Sequence, residues 1–279
     1  MKNSMQLKAI VKNMAKSKKI SAQIVLQNYM LERLLERISL SRYQSNFILK
    51  GGFLIASIVG LDTRATMDID ATIKGLKINA ESIQNMLNEI CAIEINDEVI
   101  FSLRRIEEIR ESADYHGFRV ALEAVYPPIK VPLKVDITTG DIITPKEINY
   151  EFRLLFDSRS IRILAYNLET IMAEKLETTI ARGNQNTRPR DYYDIYIIRK
   201  LQWQNIDPRT LKEALLNTCQ SRGTINIINR YDEILKTVQT SDAMSEFWKD
   251  YQNQFDYARD IGFDHICHTI REILNDILE

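Results

Sequence analysis

The sequence lacks most of what would tie it to a secreted or membrane setting. Its 279 residues hold three cysteines, Cys91, Cys219 and Cys267, odd in number and far apart. That argues against a disulfide framework and fits a reducing compartment. No apolar run approaches the roughly 20 residues of a membrane span, and MKNSMQLKAIVKNMAKSKK has no apolar stretch of signal-peptide length. A cytoplasmic address with no membrane partner is expected. Net charge is almost absent, 37 Lys and Arg against 38 Asp and Glu, so any nucleic-acid contact has to come from a local basic patch. There is no Walker loop, nucleophile elbow, dinucleotide fingerprint or internal repeat. Histidines number three. His265 and His268 flank Cys267, but without further nearby ligands no structural zinc site is expected.

What is present is an ordinary globular composition, 45% hydrophobic and 27% charged, in a chain long enough for one large domain or two modest ones. Residues 1–46 start lysine-rich and settle into a helical period, with Ile20, Ile24, Leu31, Leu34, Leu35 and Ile38 forming the stripe of a packing helix. Asn79 suits the cap of a helix through Ile90. Three strands are predicted, Val99–Arg105, Phe118–Tyr126 and Ile129–Thr138, the last two alternating cleanly and joined at Pro127-Pro128. From about Ser160 the chain turns helical. A short apolar run, 161–164, leads to helices through Arg182 and near 208–219, 229–239, 241–253 and 263–278. The expected division is residues 1–160, a mixed strand-and-helix core, and residues 161–279, a helical domain.

The chain is organised around Leu49–Asp70, LKGGFLIASIVGLDTRATMDID, read as strand, Gly51-Gly52 turn, apolar helix, polar loop and second strand. Glycines at a helix start allow close backbone approach and suit phosphate. Asp68 and Asp70, two apart on a strand, share a face, and Asp136 on the polar face of the third strand is the natural third carboxylate. Two or three carboxylates suffice for magnesium, which keeps waters and substrate phosphates as its other ligands. Two ions so held clamp the attacking and leaving oxygens of a nucleotidyl transfer. Arg64 and Thr66 lie in the loop that passes such phosphates. Arg64 is a candidate phosphate partner, whereas Lys50 reads as structural.

In the helical half, Lys175 falls with Glu174 and Glu177 away from the apolar stripe Ile171, Met172, Leu176 and Ile180. Asp191 and Asp194 lie near one helix face at its start. Capping explains Asp191, but not Arg188 and Arg190 flanking Pro189, which suit phosphate or a nucleic-acid backbone.

Together LKGG (49–52), RATMDID (64–70), LKVDIT (133–138), AEKL (173–176) and RPRDYYDI (188–195) resemble, in order and over about half the chain, the AbiEii/AbiGii toxins, the nucleotidyltransferase halves of type IV toxin–antitoxin systems. The resemblance implies an α+β fold, a DNA polymerase β-like nucleotidyltransferase core, with a mixed sheet and flanking helices, followed by a helical domain closing the active-site cleft. It implies that Asp68 and Asp70 bind Mg2+ with Asp136 assisting. Gly51 and Gly52 would accommodate phosphates of a nucleoside triphosphate. Lys175 would contact phosphate, and Asp191 would be an essential helix residue facing the site. It also implies transfer to RNA, tRNA ends above all, and a cognate winged-helix repressor antitoxin acting without a stable complex. Gly52 stands where many polymerase β-like enzymes have serine, and the segment from Gly52 to Asp68 is longer than usual. A small-molecule (antibiotic-modifying) nucleotidyltransferase and a nucleotide-binding regulator without transfer activity are the other readings of the same residues.

Overall fold

A computed structural model of the chain describes residues 3–112 and 115–278. They form two compact units, one of residues 1–141 and 148–165, the other of residues 142–147 and 166–279.

The first unit opens with helices α1 (Ser4–Lys18) and α2 (Ala22–Leu40). The expected single stripe is broken: Lys19 takes a left-handed φ of 53° and closes α1, Ser21 caps α2 by accepting from the Ile24 amide, and Ile20 is left between them. Strand β1 (Phe47–Lys50), helix α3 (Gly51–Val59) and strand β2 (Ile69–Ile73) follow, then α4 (Ala80–Cys91), whose Asn79 and Ser82 form a reciprocal capping box. Strands β3 (Ile100–Ser112), β4 (Tyr115–Tyr126), β5 (Ile129–Thr139), β6 (Ile148–Arg153) and β7 (Ser160–Ala165) complete the unit.

These strands form one mixed sheet among the described residues, in the order β3-β4-β5-β2-β1-β7-β6. β5 thus lies in its interior, third in the order, parallel to β2 and antiparallel to β4, although it is fifth in sequence. Two strand assignments differ from expectation. β3 runs seven residues past Arg105 through a charged stretch, beyond a register shift between Leu103 and Arg105. β6 gave no sequence signal because it is an edge strand in which only Phe152 is buried, and the apolar run 161–164 is its antiparallel partner β7. Phe152 stacks on Phe53 of α3, with centroids 5.4 Å apart.

Helix α2 is buried along most of its length, polar residues included. Its buried amides are used: Gln27 Nε2 donates to the carbonyls of Met67 (3.1 Å) and Pro132 (2.8 Å), and Asn28 Nδ2 donates to that of Thr66 (2.7 Å). The helix therefore straps the loop that enters β2. Buried polar groups have to be hydrogen-bonded in this way, which fixes the loop's position more narrowly than apolar packing would.

The second unit is helical: α5 (Leu168–Arg182), α6 (Pro189–Gln202), α7 (Pro208–Ser221), α8 (Ile225–Ile228), α9 (Tyr231–Gln239), α10 (Asp242–Gln254) and α11 (Phe263–Leu278). Asn167 caps α5, its Oδ1 accepting from Thr170 N at 2.7 Å, and its amide donates to the carbonyl of Thr144, which explains why residues 142–147 belong with the helices. Met172, Leu176, Ile180, Tyr192, Tyr193, Leu211, Leu215, Trp248, Ile270 and Leu274 are buried as core. Glu177 departs from its expected outward position. It is buried and receives Arg222 (2.6 Å) and the Thr224 hydroxyl (2.9 Å).

Candidate active site

Four adjacent strands of the first unit carry one row of charge. The register places Arg119 of β4 opposite Asp136 of β5, Asp136 opposite Asp70 of β2, and Asp70 opposite Lys50 of β1. Directly paired residues project on the same face, with strands about 4.8 Å apart, so the row reads cation, carboxylate, carboxylate, cation. Asp68, two residues before Asp70, lies on that face as well.

Asp136 and Asp68 each have a basic partner. Arg119 grips Asp136 with both arms of the guanidinium fork, Nε to Oδ1 at 2.9 Å and Nη2 to Oδ2 at 2.8 Å. Lys134, two residues before Asp136 on β5, places Nζ 2.7 Å from Asp68 Oδ2 and 3.5 Å from Asp136 Oδ2. Lys50 Nζ lies 2.6 Å from Asp141 Oδ2, which also accepts from the Thr138 hydroxyl at 2.7 Å. Burial pushes Asp141 up, but the Lys50 charge and hydrogen bonds from Lys50, Thr138 and Thr72 outweigh it, and its carboxyl sits below the usual range. Lys50 thus forms an ion pair with Asp141. Asp70 is left with the opposite balance: desolvation and the Asp68 charge raise its carboxyl above the usual range, with Lys50 opposing.

The glycine pair is there for space. Gly51 has φ +66°, and a Cβ on it would lie 2.1 Å from Asp70 Oδ2. The Gly52 amide donates to that same oxygen at 3.3 Å. A Cβ on Gly52 would lie 3.0 Å from both Arg64 Nη2 and Thr66 Oγ1, so the volume a serine side chain would enter is bordered by the Thr66 hydroxyl. Thr66 Oγ1 in turn donates to Asp68 Oδ1 at 3.4 Å. Arg64 is buried, at 4% exposure, and donates to the Ala65 carbonyl. It packs under the start of α3 instead of standing in a solvent-facing loop.

Among the described residues, no three Asp, Glu, His or Cys side chains converge tightly enough to enclose a metal ion by themselves. The donor set is nevertheless all carboxylate oxygen, hard ligands with room left for water and phosphate, which suits magnesium. The two basic side chains held against Asp68 and Asp136 report a demand for positive charge at this face.

The second unit holds a separate cluster. Lys175 Nζ of α5 lies 2.5 Å from Asp191 Oδ1 and 3.0 Å from Asp194 Oδ2, both on α6. The aspartates are buried, at 4% and 0% exposure, while Arg188 and Arg190 are exposed at the start of α6. Asp191 does not cap its helix. Arg188 is the N-cap residue, with no side-chain cap bond, and the Asp191 carboxylate turns to Lys175.

Of the residues singled out in the sequence, the first unit gathers Gly51, Gly52, Arg64, Thr66, Asp68, Asp70 and Asp136, and the second gathers Lys175, Asp191 and Asp194. Sequence reasoning missed Arg119, Lys134 and Asp141. The first two had a signal. A two-residue turn at Pro127-Pro128 already sets Arg119 opposite Asp136, and Lys134 alternates onto the same polar face. Asp141 had none, because it follows the strand end through Gly140.

This arrangement, a mixed sheet with Asp-x-Asp entering one strand, a third aspartate on the parallel neighbour and a glycine-opened helix beside them, defines a nucleotidyltransferase-type protein. JHP933 from Helicobacter pylori has the same fold, with a TM-score of 0.50 and 15% identity over 92% of this chain and 94% of that one. A further H. pylori structure, of a protein proposed to be a nucleotidyltransferase, gives 0.50 and 16% over 93% and 99%. No curated protein sequence matches. The chain belongs to the AbiEii family: residues 33–275 match the family model described as nucleotidyl transferase AbiEii toxin, type IV TA system. It is accordingly a nucleotidyltransferase toxin with a nucleotide substrate and an antitoxin partner. Among the described residues, no helix is long and apolar enough to cross a membrane.

Proposed function

We propose that the protein is a magnesium-dependent enzyme of the cytoplasm that transfers nucleotides from a nucleoside triphosphate to RNA, the tRNA 3' end in particular. Translation and growth are thereby arrested, as an abortive response to phage. The observation that carries this reading is the charged row, two carboxylates flanked by Arg119 and Lys50, with Asp68 and Lys134 one rung away. Asp68, Asp70 and Asp136 are the residues that would hold magnesium. Bound there, the ion supplies positive charge to the attacking and leaving oxygens. The chain's own groups do the positioning. Gly51 and Gly52 leave the start of α3 open to phosphate oxygens. Lys134 and Arg119, released from Asp68 and Asp136, are free to meet the triphosphate. The RNA hydroxyl attacks the α-phosphorus, its bond to the β-phosphate oxygen breaks, and pyrophosphate leaves with the electron pair. Lys175 contacts phosphate, with Asp191 and Asp194 fixing its ammonium. A winged-helix repressor antitoxin, acting without a stable complex, completes the system.

The test is transfer of label from α-labelled triphosphates to total tRNA, with magnesium and with chelator. Asp68→Asn lowers transfer at least about 10²-fold and abolishes toxicity on expression. Undiminished toxicity of that variant overturns the reading. The formal net charge of −1 favours a second acceptor class, small molecules such as aminoglycosides. Label on these and none on tRNA replaces the first reading with that one. Triphosphate binding without pyrophosphate release replaces both with a regulator.

A further inference from the structure

Charge is unevenly distributed along the chain. Residues 1–31 contain six lysines and no Asp or Glu, a charge of +6, so the remaining 31 basic and 38 acidic residues carry −7. On α1 the exposed Lys8, Lys12 and Lys16, with Lys19 at the C-cap, fall on one flank of the helix, about 6 Å apart along the axis at each four-residue step. None of these four has a carboxylate partner among the described residues. The other flank of α1 is buried through Leu7, Val11 and Ala15, which leaves no apolar face for insertion into a lipid surface.

The stripe is also anchored at one end. Lys18 Nζ lies 2.6 Å from Asp62 Oδ1, in the same loop that continues through Thr66 into Asp68. Helix α2 holds that loop through Asn28 and Gln27. The lysine row therefore ends, within one unit, at the loop that delivers the first metal-binding carboxylate. A ladder of like charges at a step comparable to that between neighbouring phosphates fits a nucleic-acid strand and not an isolated anion.

We propose that Lys8, Lys12, Lys16 and Lys19 form the track that binds the backbone of the RNA acceptor. This rests on the RNA reading of the site and assigns the near-neutral chain a local basic surface within the sheet unit. The residues lie on an exposed helix face, so charge reversal leaves the core intact.

The experiment compares wild-type protein with K8E/K12E/K16E and with K8R/K12R/K16R. It measures binding of labelled total tRNA over a salt series, calorimetric binding of a non-hydrolysable nucleoside triphosphate, and binding to phosphatidylserine vesicles. The expected result for the Glu variant is an RNA affinity at least about tenfold weaker and a log K against log salt slope shallower by about 2–3. Triphosphate binding is unchanged, and the Arg variant matches wild type. Unchanged RNA affinity and slope in the Glu variant overturn the proposal while wild-type label transfer to tRNA still stands, so the two readings fail separately. Loss of vesicle binding with RNA binding intact also overturns it, as does absence of salt-dependent RNA binding by the wild type.

Discussion

In the sheet unit Lys134 stands 2.7 Å from Asp68 and 3.5 Å from Asp136, with 39% of its side chain exposed. In the helical unit Lys175 stands 2.5 Å from Asp191 and 3.0 Å from Asp194, with 18% exposed, and its aspartates are buried almost completely. The motif is the same, one lysine between two carboxylates, but the physics differs. An exposed ion pair contributes about 0–1 kcal/mol and exchanges readily. A buried one is held because removing either partner strands the other charge. The first cluster is thus built to trade its cation for another, and the second to keep it.

The sharpest way to break this contrast is Lys175→Met, expected to lower unfolding free energy by about 3–5 kcal/mol in urea titrations. Adding Asp191→Asn and Asp194→Asn should restore most of that loss. A single-variant cost under about 1 kcal/mol would make the helical cluster as exchangeable as the other.

A closed cluster also exists inside the sheet unit, which tests whether burial or location matters. Glu32, at 1% exposure, pairs with Arg33 and accepts from the Leu155 amide. Desolvation, partly offset by Arg33, pushes its carboxyl up to about 7 from 4.5. The folded value is the higher one, so the folded state binds this proton more tightly. The resulting stability is full below about pH 4.5 and is lost as pH rises through 7. The stability of wild type minus that of Glu32→Gln is expected to fall by roughly 3 kcal/mol between pH 4.5 and 8, read from unfolding curves at each pH. Parallel pH profiles for the two proteins would refute it.

The smallest effect sharpens the open side. Lys134→Met removes the resident cation, so Mn2+ binding without nucleotide, measured by calorimetry or electron paramagnetic resonance, is expected to tighten about tenfold. The KM for triphosphate should rise. Unchanged Mn2+ affinity would show that Lys134 does not compete for the carboxylates.

How far the sequence reveals this depends on range. Asp68, Asp70 and the Gly51-Gly52 turn lie within one stretch of 20 residues, where period and turn chemistry are local. The β4–β5 hairpin is equally readable, because its alternation and Pro127-Pro128 connection are local too. That β5 inserts beside β2 is a non-local pairing, and no single-strand pattern announces it. The Arg119 fork on Asp136 was one inference away. The Lys50–Asp141 pair, separated by 91 residues, was not, and Lys50 reads as an ordinary strand residue without it. Asp191 shows the opposite error: a local rule, helix capping, sufficed to explain it, and tertiary structure used it otherwise.

The interior place of β5, between β4 and β2, has a consequence for synthesis. Asp68 and Asp70 leave the ribosome well before Asp136 does, and β2 lacks its parallel neighbour until β5 arrives and slots between β4 and β2. Chains fold as units once their strands are available, and non-local pairings close last. A nascent chain of this toxin therefore carries two of these acids without the third, and the candidate site is complete only once β5 has joined the sheet.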